Sequence, residues 1–183
     1  SALNTMYHQL LTWLNISDNP ISYINLSSNT LLEVLNAAAT DISHIDLNNI
    51  QLVALSLADS KIKNLDVSNQ TRLTNLIVAN NELTFLNVKN GNNQNFKEFA
   101  AMGNPDLNCI QVDDAGWAEE NWRDNVDFHV FFSENCGEGP YTLIPDSNFE
   151  QALIDLGLDD VLDGQVLTAS VDTVTVLNVD NKS

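Results

Sequence analysis

The stretch LTNLIVANNELTFLNVKN, Leu73 to Asn90, states one short apolar phrase twice. Leu73-x-x-Leu76-x-Val78-x-x-Asn81 is followed by Leu83-x-x-Leu86-x-Val88. Within each phrase the last apolar residues alternate with polar ones, which marks a short strand with one buried face. The leading apolar residue recurs as Leu11, Leu32, Leu52, Leu73 and Phe96, at intervals of 21, 20, 21 and 23 residues. The polar insert GNNQN, residues 91–95, stretches the last interval. A fixed period in this range predicts a solenoid, one coil per repeat.

A single repeat cannot stand alone. Its inward side chains, such as Leu73, Leu76, Val78, Leu83, Leu86 and Val88, bury too little apolar surface to offset the entropy of ordering its backbone. Stacking lets neighbours share hydrogen bonds and buried faces. Leu14, Leu35, Leu55 and Leu76 are therefore expected to line up in one internal row. The ninth position of each repeat holds Asn19, Thr40, Ser60, Asn81 and Asn104. Their side chains suit hydrogen bonding to backbone groups where the chain turns off the strand.

These features resemble the leucine-rich repeat family, whose consensus is L-x-x-L-x-L-x-x-N-x-L. LTNLIVANNEL, residues 73–83, matches it throughout, and the resemblance covers roughly residues 11–107. The nested second halves ISYINLSSN, ISHIDLNN and IKNLDVSNQ look like the 21-residue bacterial subclass found in secreted and surface proteins of flavobacteria and their relatives. In that subclass a second extended segment replaces the outer helix. The resemblance implies an extracellular or cell-surface binding or adhesion module recognising a protein or glycan. The alternative is a structural spacer within a larger secreted protein.

Composition narrows the partners. Among 183 residues, 7 Lys and Arg stand against 25 Asp and Glu, a formal net charge of -18. That field repels nucleic acid and anionic membrane surfaces. No apolar run approaches the ~20 residues of a membrane span. Neither SALNTMYHQLL at the start nor VDNKS at the finish reads as a natural terminus, so the chain is expected to be a piece of a longer protein.

Composition changes after the repeats. Residues 109–139 bring both cysteines and two of the three tryptophans. A solenoid end exposes leucines and strand edges, so a cap is expected here. AGWAEENWRD, residues 115–124, is expected to form a short helix laying Trp117 and Trp122 over that end. Cys109 and Cys136 flank it; the readings are a disulfide or two buried thiols. A bridge would add roughly 3–4 kcal/mol by chain entropy and imply an oxidising compartment outside the cytosol. Zinc is not expected from two cysteines without paired histidines. The cap also resembles the end piece of repeat modules in those secreted proteins.

Gly137 to Pro140 reads as a hinge. Beyond it, residues 140–183 resemble the opening segment of a further module. Asp146 or Ser147 is placed to cap a helix whose apolar face is Phe149, Leu153, Ile154 and Leu156, and VTVLNVDN, residues 174–181, suggests a new strand. The expected organisation is a repeat array over 1–108, a cap over 109–139 and this segment. In fold class it is a β-rich α/β solenoid with a Trp-rich, disulfide-bridged cap and a short helical segment.

For sites, the outward strand positions of the first half-repeats form columns. Trp13, Asn15, Val34, Asn36, Ser56, Asn75, Ile77, Glu98 and Met102 are the candidate ligand strip on the expected concave face. The second halves offer Tyr23, Asn25, His44, Asp46, Asn64, Asp66, Phe85 and Asn87; here solvated side chains bracing turns are expected. His8, His44 and His129 lie in different units with no triad motif nearby, so no catalytic residue and no enzyme is expected. Segments related to residues 140–183 often carry a calcium loop, and Asp159, Asp163 and Gly164 fit its positions one, five and six. Val161 at position three and Ser170 in place of the bidentate Glu leave two ligands missing, so a plain acidic turn and no cofactor are expected. Finally, the first repeat shows no cap, while residues 141–183 look like a cap with no array. A head-to-tail contact between the two, in different copies, is the expected form of self-association.

Overall fold

A computed structural model describes residues 2–136, 141–144, 146–159, 162, 165–167, 171 and 174–175. The chain divides into two compact units, residues 1–134 and 135–183.

The first unit contains β1 (Ala2–Asn4), β2 (Trp13–Asn15), β3 (Tyr23–Asn25), β4 (Val34–Asn36), β5 (Ala54–Ser56), β6 (Asn64–Asp66), β7 (Asn75–Ile77), β8 (Phe85–Asn87), β9 (Glu98–Ala100), β10 (Cys109–Gln111), α1 (Ala115–Trp122) and β11 (Phe131–Ser133). Each strand has only three residues because one inward side chain per pass suffices when neighbouring coils supply the rest of the core. β2, β4, β5, β7 and β9 pair in parallel as a five-stranded sheet. In register, Leu14, Leu35, Leu55, Leu76 and Phe99 form a single internal row. Leu35, Leu55, Leu76 and Phe99 are buried, and Leu14 in the edge strand packs on the same core. The expected row of leucines is therefore present.

The other side of each coil is less regular. β1 pairs with β3, and β6, β8, β10 and β11 form a separate four-stranded sheet. Residues 44–46, expected as a strand between these groups, are not in one. Ile45 still points into the core, so the coil is stacked while its ladder on this side is interrupted. The turn column offers a reason. Its members are His8, Asn29, Ile50 and Gln70, whose N–H groups donate to Thr5, Leu26, Leu47 and Val67 carbonyls respectively. Asn29 reaches back to the Thr5 and His8 carbonyls at 3.3 and 2.8 Å. Gln70 reaches back to the Leu47 carbonyl at 3.1 Å and takes the Leu52 N–H at 2.9 Å. Ile50 has no amide to make the equivalent link.

Turns off the five-stranded sheet repeat one conformation. Asp18, Ala39, Asp59, Asn80 and Gly103 all have positive φ, at 58°, 53°, 55°, 56° and 74°. Asp, Asn and Gly tolerate this region, whereas alanine is strained there. Ala39 is exposed, so its methyl contributes little packing. Ala39→Gly is expected to stabilise the protein by about 0.5–1 kcal/mol, seen as a higher urea midpoint at unchanged slope; a lower midpoint would count against the strain.

Next to that column lies the polar ladder of ninth positions. Asn81 Nδ2 donates to the carbonyls of Leu57, Val78 and Ala79 at 2.8, 3.1 and 3.2 Å, while its Oδ1 accepts the Ile62 N–H at 2.9 Å. Asn104 does the same for Val78, Ala101 and Leu83. Thr40 and Ser60 use hydroxyls 3.1 Å apart. On the surface, Lys61 reaches Asp41 of the preceding coil at 2.6 Å. This hydrogen bond and the charge behind it hold Asp41 below the usual carboxylate range and lift Lys61 above the usual lysine range. Any stability from Asp41 is thus present above its unfolded pKa and lost as pH falls through the folded one. For Lys61 it is present below the unfolded value and lost as pH rises through the folded one. Both groups are exposed, so salt screens the pair.

The array closes on two aspartates and a tryptophan. Asp127 accepts the Gly103 and Asn104 N–H groups at 3.0 and 2.8 Å, and Asp113 accepts those of Gly91 and Asn93 at 2.9 and 3.0 Å. At Gly103 the carboxylate stands where a carbonyl of the next coil serves Asp59 and Asn80. Asp114 caps α1 by accepting the Trp117 N–H at 2.9 Å. From α1, Trp122 stacks on Phe99 with centroids 4.2 Å apart and meets Trp117 edge-on at 5.3 Å. β10 and β11 carry the four-stranded sheet two passes further, so stacking continues well past residue 108. Cys109 and Cys136 are joined by a disulfide.

In the second unit, β12 (Tyr141–Leu143) and β13 (Gln165–Leu167) pair antiparallel around α2 (Ser147–Asp155). Asp146 caps α2 by accepting the Asn148 and Phe149 N–H groups. Ile144, Leu153 and Val166 form a small core with Phe149, Leu158 and Val171 around it. Ile144, Phe149 and Leu153 thus pack on one another within this unit. The hinge, residues 176–181 of the expected strand, and Asp163 and Gly164 lie outside the described residues.

Candidate binding surface

The outward face of the five-stranded sheet carries the candidate strip in two registered rows. One runs Trp13, Val34, Ala54, Asn75, Glu98 and the other Asn15, Asn36, Ser56, Ile77, Ala100. Met102 follows β9 and is 50% exposed; Trp13, on β2 at the other edge, is 58% exposed. Four strand steps separate these edges, about 19 Å. Between them Ala54, Ser56 and Ala58 make a low floor, since small outward side chains leave the strands nearly bare.

Not every candidate is equally available. Asn15 and Asn36 commit their side-chain oxygens to the N–H groups of Ser17 and Ala38, at 2.9 and 3.1 Å. Those are Asx turns, so these two residues serve the fold first. Asn75 Nδ2 donates to Glu98 Oε2 at 3.3 Å, which orients that carboxylate. Trp13, Ile77 and Met102 supply the apolar contact area.

The other side differs. Asn25, Asp46, Asp66 and Asn87 brace turns as expected, accepting N–H groups from Ser27, Asn48, Ser68 and Lys89 at 2.8–3.0 Å. Where the ladder is interrupted, two open clefts flank residues 44–49, of about 210 and 390 Å³. Tyr23 stands at the outer edge of the first, Phe85 at that of the second, and His44 and Asp46 are shared by both. Sequence reasoning named these residues without placing them in a cleft. The signal available was Ile50, apolar in a column otherwise polar.

For metals, no group of three His, Cys, Asp or Glu side chains is gathered among the described residues. Among them, too, no helix is long and apolar enough to cross a membrane. His8 and His44 stand in different coils and His129 in the segment leading into β11.

No protein-family model matches the chain, and no curated protein matches it. Among solved structures, the functional domain of InlJ from Listeria monocytogenes, described as including a cysteine ladder, superposes with a TM-score of 0.51 at 23% identity. The match covers 60% of this chain and 28% of that one, so the chain spans just over a quarter of its neighbour's length. No ladder of cysteines exists here, because the two cysteines of the sequence are spent in one bridge. At this identity the likeness is one of fold. Together with the registered leucine row and the parallel three-residue strands, it makes the first unit a β-rich solenoid of the leucine-rich-repeat type.

Proposed function

We propose that this solenoid is an extracellular or cell-surface binding module that recognises a protein or glycan through its five-stranded face. The observation that carries the reading is exposed Trp13 and Met102, with half-buried Ile77 between them, on a sheet whose inward row packs into the core. Apolar side chains held rigidly in water, with small residues between them, suit a partner that lies across the strands. The disulfide favours an oxidising compartment, and a net charge of -18 favours neutral or basic partners. We read the module as non-catalytic and of the 21-residue bacterial subclass, with residues 109–139 acting as its cap and residues 140–183 opening a further module.

The test is a protein and glycan array followed by titration of any hit. Saturable binding weakened at least about tenfold by Trp13→Ala, equivalent to some 1.4 kcal/mol, is the expected result. Trp13 is exposed, so the variant keeps its fold. A chain with no saturable partner would instead be the structural spacer. That second reading draws on Ala54, Ser56 and Ala58, whose small size also serves close strand packing.

A further inference from the structure

We propose a second site, for a neutral oligosaccharide, in the two clefts that flank residues 44–49 on the interrupted side of the solenoid. It is independent of the Trp13 strip.

The break in the ladder creates the space. Regular stacking leaves no room between coils about 4.8 Å apart, yet here two clefts of about 210 and 390 Å³ adjoin. Tyr23 and Phe85 mark their outer limits, three coil steps or about 14 Å from each other. Both rings point outward, 54% and 38% exposed, and neither stacks on another aromatic among the described residues. A flat ring open to solvent presents a π face, which complements the C–H face of a pyranose.

Between the rings the floor is polar and held in place. Asp46 and Asp66 each give one carboxylate oxygen to their own turn, at 3.0 and 2.8 Å from the Asn48 and Ser68 nitrogens. A carboxylate retains further lone pairs after such a bond. It therefore stands ready to accept hydroxyl protons without being reordered, the condition under which polar contacts add affinity. His44 and Asn64 supply donors beside them. Residues 44–46, outside any ladder, line the second cleft, where ligand hydroxyls can replace water.

Other ligands fit less well. Anions meet a chain of net charge -18. A metal ion lacks a gathered ligand set among the described residues. An apolar peptide finds carboxylates and amides where it needs pockets. A basic peptide is the rival, attracted by Asp46 and Asp66 but given no reason to need both rings.

The experiment titrates the full chain with cellohexaose and with chitohexaose by calorimetry, and follows side-chain amide resonances by NMR. Circular dichroism checks the fold of each variant. The expected result is saturable binding of at least one hexaose, with the Asn64 amide shifted. Tyr23→Ala and Phe85→Ala each weaken it at least about tenfold, Tyr23→Phe retains it, and Trp13→Ala leaves it unchanged. Absence of binding by both sugars overturns the proposal, as does binding indifferent to both ring truncations. Loss on Trp13→Ala alone transfers the sugar to the five-stranded face and also overturns it. Polylysine capture weakened by Asp46→Asn and Asp66→Asn together, with no sugar bound, overturns the proposal and assigns the clefts to cationic partners.

Discussion

Asn81→Ala is expected to lower the unfolding free energy by about 3–5 kcal/mol. The side chain is buried and makes four hydrogen bonds, three given to carbonyls of Leu57, Val78 and Ala79 and one taken from the Ile62 N–H. Alanine strands the Leu57 carbonyl and the Ile62 N–H in a place where water does not reach, while the Val78 and Ala79 carbonyls keep their bonds from Asn104 Nδ2 and the Asp59 N–H. Each unsatisfied buried group costs roughly 1–3 kcal/mol, and the loss falls on two coils at once because Leu57 belongs to the preceding repeat. Asn81→Ser should cost about half as much, since Ser60 already shows that a hydroxyl can hold part of this position. Asn81→Asp should be no better than alanine, since a carboxylate would face three carbonyl oxygens. Urea unfolding followed by circular dichroism measures all three. A loss below about 1 kcal/mol for Asn81→Ala would mean that the coils stack by apolar burial alone.

The second large effect is expected from Trp122→Ala, at about 3–5 kcal/mol. Trp122 is 4% exposed, and its ring meets Phe96, Phe99, Trp117 and Phe132. Removing it opens a cavity at the end of the internal row, where no further coil can close in. In a one-dimensional array the damage should stay local. Hydrogen exchange should quicken at Phe99 to Asn104 while the amides of Leu35 to Ala37 keep their protection. Uniform quickening along the array would show instead that the first unit unfolds as one cooperative block.

The internal row was legible because a period near 21 residues forces equivalent side chains onto one line. Leu14, Leu35, Leu55 and Leu76 needed no knowledge beyond their spacing. The ninth-position ladder was legible for a related reason, since Asn, Thr and Ser recur where a strand must turn. Asp146 as a helix cap followed from its place before an apolar helical pattern. Ile50 was not legible. Its consequence depends on Asn29 and Gln70 reaching across to neighbouring coils, and which backbone groups lie within that reach is a matter of three dimensions. For the same reason Tyr23 and Phe85 looked like ordinary outward residues until the gap between them was seen. The continuation of the sheet through β10 and β11 was hidden because the helix between them breaks the period.

Sequence alone determined that coils stack, which residues face inward, and that the surface is acidic, because periodicity and net charge are properties of order and composition. Tertiary structure decided where that stacking fails and how it ends. A ladder breaks or closes according to whether a donor finds an acceptor within about 3 Å, and for Gln70, Asp113, Asp127 and Trp122 the partners lie some twenty residues away along the chain.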